Sequence, residues 1–341
     1  MQQALNVFPC LTMALLRLLS SLMIYTVLLP FILSAEAAKS GPKVSSLGMK
    51  PETIAVGFYL NRISQLSQKD GTFDIDAWVW FRWKNGDFDP TKTFEIVNGR
   101  IESATPTEVL EDAGYKHTQV RIHATIFHVF DVHRYPLDNH NLPIVIEDST
   151  RQAALLQLVP DEGSLVDPSV AIEGWVVNFQ GVKPSTHVYP TTYGYRSLGE
   201  KGSEFSRLTF NIGLKRQNNF ITLMKLFWVS ILALLLAIGA CFVRSNDLDA
   251  RFGLGLGSIF AAAANTITVS ANLPDTPLLT LAEQINMITV VYIFLSIFLS
   301  IVSLRLRYAE RPADADRLDI ASAFVISILY GITLLGVFAW A

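Results

Sequence analysis

Phe252-Gly253-Leu254-Gly255-Leu256-Gly257-Ser258-Ile259-Phe260-Ala261-Ala262-Ala263-Ala264-Asn265-Thr266-Ile267-Thr268-Val269-Ser270-Ala271-Asn272 is the stretch on which the fold turns. Its 21 residues carry no charge, yet 14 are Gly, Ala, Ser, Thr or Asn and only seven are large and apolar. A helix that uncharged and that poor in large side chains gains little from lipid, so it faces other helices or water. Its neighbours are of another kind. Residues 220–243 are apolar but for Lys225, and 285–304 and 320–341 carry no charge. Each is long enough to cross a hydrocarbon core about 30 Å thick. The sequence therefore predicts four spans, at 220–243, 252–272, 285–304 and 320–341.

Composition changes sharply before these spans. Half of the 341 residues are hydrophobic, 17% are charged and the mean hydropathy is +0.35, against about a quarter charged in a soluble chain. Residues 38–217 hold 19 Lys and Arg and 21 Asp and Glu, whereas 218–341 hold 7 and 8. The first part is charged like a soluble domain and the second is lipid-compatible. Upstream, Arg17 precedes an apolar run and the small-residue site Ala35-Glu36-Ala37, the layout of a cleavable leader over 1–37. Met13 is an alternative start to Met1, since it puts Arg17 near the N-terminus. Orientation follows from Arg244, Arg251, Arg305, Arg307, Arg311 and Arg317, which occupy the connections 244–251 and 305–319, while 273–283 has no basic residue. The positive-inside rule puts the first two connections in the cytoplasm. With the leader removed, the charged domain and the C-terminus lie outside, on a multi-pass protein of the plasma (inner) membrane.

The outer domain reads as sheet. In Phe73-Asp74-Ile75-Asp76-Ala77-Trp78-Val79-Trp80-Phe81-Arg82-Trp83 one face is apolar, and the other carries Asp74, Asp76, Trp78, Trp80 and Arg82. Further strand-like runs lie at 121–132, 141–146, 153–159, 175–182 and 205–214, separated by turn clusters. The fold class expected is an all-β, immunoglobulin-like sandwich over 38–217, followed by an all-α four-helix transmembrane domain over 218–341. A net charge of −3 without a basic tract argues against a nucleic-acid partner. Cys10 and Cys241 cannot pair in the outer domain, and the six histidines fit no zinc spacing, so neither metal nor cofactor is expected. No Gly-x-Ser-x-Gly, His-Glu-x-x-His or Cys-His arrangement suggests an enzyme.

Several local patterns, in order, resemble the pentameric ligand-gated ion channels. Phe130-Asp131-Val132-His133-Arg134-Tyr135-Pro136-Leu137-Asp138 is similar to the family's central loop. His128 and Leu142 stand where animal members have the two cysteines that close it, as expected of the bacterial branch. Val56-Gly57-Phe58-Tyr59-Leu60 resembles part of the opening strands, and Phe94-Glu95-Ile96-Val97-Asn98 the first ligand-site loop. Glu204-Phe205-Ser206-Arg207 with Arg216 resembles the last strand, and Asn272-Leu273-Pro274-Asp275-Thr276-Pro277 the loop after the pore helix.

The resemblance implies a homopentamer, a chain with four identical partners, opened by a small-molecule agonist. Stepping by helical turns from Asp249 gives Asp249, Gly253, Gly257, Phe260, Ala264, Ile267 and Ala271 on one face, able to line a pore. A ring of Asp249 carboxylates at the cytoplasmic mouth favours monovalent cations. Ala250-Arg251 matches part of the Pro-Ala-Arg of anion-selective members, so an anion channel is the alternative within the family. A non-conducting membrane sensor or binding protein is the alternative outside it. Phe260 is the expected hydrophobic constriction. Gly253, Gly255 and Gly257 either widen the inner pore or let helices pack closely; both readings stand. The ligand site expected at the subunit interface sets Trp78 and Trp80 of one subunit against Glu95, Asn98, Glu147, Asp148, Tyr189, Tyr193 and Tyr195 of the next, the tyrosines on a long 183–203 loop. Aromatics with carboxylates suit a cationic amine, and the histidines suit protons. Coupling is expected where Tyr135, Pro136, Leu137 and Asp138 meet Arg216, Pro274 and Pro277, with Asp138 paired to Arg216.

Overall fold

The computed structural model describes residues 51–84, 88–194, 202–244, 247–271 and 273–340. The expected leader at 1–37 lies outside these residues, as do Tyr195 and Asn272. Eleven strands come first: β1 (Glu52–Ser67), β2 (Thr72–Trp83), β3 (Phe94–Ile96), β4 (Gly99–Pro106), β5 (Leu110–Asp112), β6 (Tyr115–Phe127), β7 (Asn139–Asp148), β8 (Leu156–Pro160), β9 (Leu165–Val166), β10 (Trp175–Tyr189) and β11 (Ser203–Arg216). They form two sheets. One runs β4-β6-β2-β1-β8, with β5 on β6 and β9 on β1, and the other runs β10-β11-β7-β3. β8 and β9 lie parallel to β1, and the other pairs are antiparallel.

The period-two pattern of β2 sets the core. Phe73, Ile75, Ala77, Val79, Phe81 and Trp83 are all buried, and they face apolar residues of the second sheet. Phe58 on β1 meets Phe210 on β11 with ring centroids 4.9 Å apart, which joins the sheets at the centre of the sandwich. Burying one such ring contributes about 1.5–3 kcal/mol.

Two expectations about the outer domain change. The two ends of the 183–203 loop are strand: residues 183–189 of β10 pair with 203–209 of β11. Nearly every side chain of that β10 segment is exposed, so no burial alternation marks it in the sequence. Pro184 is tolerated because β10 is an edge strand. The short, polar β4 and β5 are likewise edge pieces that hydropathy does not reveal.

Four helices follow: α1 (Asn219–Gly239), α2 (Leu248–Ser270), α3 (Leu281–Tyr308) and α4 (Pro312–Trp340). All four are long and apolar enough to cross a membrane. The last three helices begin before their uncharged runs, and side-chain capping sets the start of two of them. The Asp247 side chain accepts from the Ala250 amide at 3.3 Å, so α2 starts a turn before residue 252 and takes in Asp249. Thr280 and Glu283 form a reciprocal capping box that starts α3 at Leu281.

Candidate functional site

The surface of α2 divides cleanly. Arg251, Gly255, Ser258, Ala262, Asn265 and Val269 are buried against the rest of the bundle. Asp249, Gly253, Gly257, Phe260, Ala264, Ile267 and Ala271 are all exposed in the single chain, Phe260 at 66% and Ile267 at 71%. A Cβ added at Gly253 or Gly257 would meet nothing within 4 Å, whereas one at Gly255 would lie 3.2 Å from Ile297 of α3. Gly255 is therefore the one of the three that lets two helices of this chain approach closely. Behind the exposed face, the Asn265 amide donates to Ser230 Oγ on α1 (2.8 Å) and to Asn286 Oδ1 on α3 (3.0 Å), and the Ser230 hydroxyl donates to the same oxygen at 2.8 Å.

At the other end of α2 the helices meet the sandwich. Asp138 is buried and accepts from Arg216 Nε (2.9 Å), Arg216 Nη2 (3.2 Å), His140 Nε2 (2.6 Å) and Gln68 Nε2 (2.7 Å). Burial pushes this carboxyl up, but the His140 hydrogen bond, the Arg216 charge and the Gln68 amide outweigh it. They hold it below the usual carboxylate range. The Arg216 guanidinium also lies over the Trp175 ring at 4.2 Å and the Tyr135 ring at 5.2 Å. The pair expected from sequence is present, but it is part of a larger cluster. His140, two residues on in extended chain, shares the face of Asp138, whereas the participation of Gln68 is not signalled by spacing.

The loop beside Asp138 is tied to the helices through its backbone. Leu281 and Ala282, in the first turn of α3, donate to the carbonyls of His133 (2.9 Å) and Tyr135 (3.1 Å). These are amides that a helix cannot satisfy internally. Tyr135 and Leu137 also pack on the apolar cluster that contains Leu273 and Leu281, while Pro277 is exposed and Pro274 half-buried. Lys69, in the β1–β2 turn, donates to the carbonyl of Ala271, the residue that caps the C-terminus of α2 (2.9 Å). A cation there complements the helix dipole. A Lys in a turn cluster was its one signal in the sequence.

The third group lies on the four-stranded sheet. Glu147 is buried and accepts from Arg207 Nε (2.5 Å) and the Tyr189 hydroxyl (3.1 Å), while Arg207 Nη2 donates to that hydroxyl (2.6 Å). Asp148 is buried too and accepts from the Thr93 hydroxyl at 2.6 Å and from the Arg151 amide at 2.7 Å. Glu95 is exposed beside them. Partial loss of water, then the Glu147 and Asp148 charges, push its carboxyl up, against the opposing pull of Arg207. Tyr189 stacks edge-on with Tyr193 and Phe205, each at 5.7 Å. Asn98 is turned inward: its amide donates to the Pro143 carbonyl (2.8 Å) and its oxygen accepts from the Val145 amide (3.0 Å), which braces β7 where proline lacks a donor. Trp78 and Trp80 lie half-buried on the other sheet, the Trp80 ring flat against Gly57. Within one subunit the two halves of the expected ligand site do not meet. Among the described residues no three His, Cys, Asp or Glu side chains are arranged to hold a metal ion.

No family model matches the chain. A proton-gated ion channel of Gloeobacter violaceus is 24% identical to it over 304 residues, which cover 82% of this chain and 81% of that channel. A sandwich followed by four apolar helices, the ordered loop motifs and this likeness converge. The chain resembles the pentameric ligand-gated ion channels in fold and in the order of these motifs. Its four long apolar helices make it a multi-pass membrane protein.

Proposed function

We propose that five copies of this chain form a cation-selective channel in the plasma membrane, with the outer domain at 38–217 and the C-terminus outside. The observation that carries this reading is the division of α2. One full-length face of that span is left without a partner in the subunit, and its side chains are Asp249 at one end, then Gly, Phe, Ala and Ile. Five such faces around an axis give a water-filled path whose inner mouth is ringed by carboxylates, which concentrate cations and repel anions. Phe260 supplies an apolar ring that closes the path by dewetting when the helices approach one another.

Opening starts in the outer domain. Glu95, Glu147, Asp148, Tyr189 and Tyr193 supply the acidic and aromatic half of an interface site, and Trp78 and Trp80 of the neighbouring subunit supply the other half. Such a site suits a small organic cation. The relative is named for gating by protons. The raised Glu95 carboxyl supports the same stimulus here, since it takes up a proton before an ordinary carboxylate does. Movement then passes through the Asp138 cluster, Lys69 and the start of α3 to the end of the pore helix.

The test is electrical. Purified protein in planar bilayers under asymmetric KCl, with both solutions acidified, shows a reversal potential displaced toward that of potassium, and Asp249→Lys removes or reverses the displacement. Equal reversal potentials in wild type and Asp249→Lys would remove Asp249 from the pore. Five-fold particles that pass no current at any pH would favour the non-conducting sensor.

A further inference from the structure

We infer that Asp319, on the fourth span, is a selectivity-determining residue: by holding Arg251 it stops the guanidinium of each subunit from opposing the Asp249 carboxylate at the inner mouth. The inference rests on the cation-channel reading above. Arg251 is the one basic residue within α2, and it follows Asp249 by two positions. Left to act on the mouth, the positive ring would cancel the negative one charge for charge.

The structure turns Arg251 the other way. Its side chain is 4% exposed even in the single chain, and it is ion-paired with Asp319 of α4. Its Nε donates to the Val243 carbonyl (3.0 Å), its Nη1 to that of Ser300 on α3 (3.4 Å) and its Nη2 to that of Cys241 (3.5 Å). The three other spans, or the turn that directly follows one, therefore each give this guanidinium an acceptor. The carbonyls orient it but cannot neutralise it; among the described residues Asp319 alone supplies a countercharge. Asp319 is equally committed. Its Oδ1 is buried with no partner among the described residues, and Ser322 beside it donates to the Asp319 backbone carbonyl at 2.8 Å, not to the carboxylate.

Charge accounting then decides the outcome. With Asp319 present, Arg251 is cancelled and the Asp249 carboxylate is left over. Without it, Arg251 and Asp249 cancel, whether the guanidinium swings into the mouth or stays where it is, because an uncompensated charge in a low-dielectric interior acts over a longer range than in water. Arg244 and Asp247 lie just before α2 and contribute equally in every variant compared below. Asp319 touches no permeating ion; it is a positioning residue acting through Arg251.

Reversal potentials in asymmetric KCl, measured in bilayers at neutral and acid pH, test this directly. Asp319→Asn lowers the potassium-to-chloride permeability ratio severalfold, and Asp319→Glu keeps the wild-type ratio. The double variant Arg251→Gln, Asp319→Asn also returns it, because both charges leave together. A role confined to helix packing would leave the reversal potential of Asp319→Asn at the wild-type value. That result overturns the inference while leaving the channel reading intact. So does a double variant more cation-selective than wild type, which would mean that Arg251 had opposed the ring all along. Should Asp319→Asn fail to assemble, the double variant carries the test by itself. A wild-type channel without cation preference, or one silent at both pH values, instead removes the reading beneath the inference, and the inference with it.

Discussion

The sandwich and the helical bundle differ in the side chains they hide. Between the two sheets, what is fully buried is Phe58, Phe73, Phe81, Trp83, Phe210 and their aliphatic neighbours. Inside the bundle, Ser258, Asn265, Asn286, Thr289, Ser296 and Asp319 are buried alongside Leu234, Ile293 and Ile326, while Phe220, Trp228, Leu235, Phe294, Phe324 and Leu335 point outward. Water explains the first arrangement, since moving apolar surface away from it is the main driving force. Lipid explains the second. Hydrocarbon tails are as apolar as leucine, so turning a leucine inward gains little, and helices associate instead through small side chains and hydrogen bonds. The hydroxyls also have a local outlet, as when Thr289 Oγ1 donates to the Ile285 carbonyl one turn back (2.8 Å). One chain thus follows two solvents, and the change of rule falls between Arg216 and Asn219.

The largest effect expected from that contrast is in the sandwich. Phe210→Ala leaves a cavity opposite Phe58 and costs about 3–5 kcal/mol, read as a lower thermal midpoint and a smaller folded yield in detergent. A midpoint within a degree of wild type would mean that this core is not the one sustaining the fold. Next comes the boundary. Asp138→Ala strands Arg216, His140 and Gln68, at about 3 kcal/mol. Channels of this variant still assemble but open poorly. A double-mutant cycle with Arg216→Ala recovers a coupling of about 1–3 kcal/mol in the gating equilibrium, whereas simple additivity would dissolve the proposed link.

The bundle should respond more weakly to the same kind of change. Asn265→Leu breaks the bonds to Ser230 and Asn286, yet polar contacts in a membrane are worth only about 0.6 kcal/mol on average. The midpoint is expected to fall by less than for Asp138→Ala, and a larger fall would show that the bundle interior behaves like a water-soluble core. The smallest effect is electrostatic. Because the Glu95 carboxyl is pushed up, its protonated form is the favoured one. The stability this confers is complete below the ordinary glutamate value of about 4.3 and is lost as pH rises through the raised value. Glu95→Gln mimics the protonated form. It raises the midpoint slightly at pH 7 and leaves it unchanged at about pH 4; a lower midpoint at pH 7 reverses the sign of the argument.

How much of this was legible in the sequence also divides by solvent. The spans and the exposed face of α2 could be read because lipid imposes a composition and a helix imposes a period. The helix ends could not, since Asp247 and the Thr280–Glu283 box act through single hydrogen bonds that hydropathy does not weigh. In the sandwich, β2 announced itself by alternation, while residues 183–189 did not, because their pairing with β11 rests on backbone bonds with the side chains exposed. The Asp138–Arg216 pair came from family likeness. Gln68 and Lys69 were invisible for a geometric reason: Gln68 reaches across 70 residues to Asp138, and Lys69 across 202 to Ala271.

The two amides at the start of α3 that bond to the carbonyls of His133 and Tyr135 set a rule for recombination. Both sides of that joint are main chain, so its two bonds do not depend on which side chains stand there; Tyr135, Leu281 and Ala282 are held separately, by packing in the apolar cluster. Transplanting the outer domain of a distant relative onto these helices therefore demands a loop of matching backbone trace as well as side chains that pack where Tyr135 and Leu137 do. The same logic makes the first turn of α3 a borrowed structure. Produced without the sandwich, the four helices would leave those donors to headgroups and water, and this span would be the one to fray at its outer end.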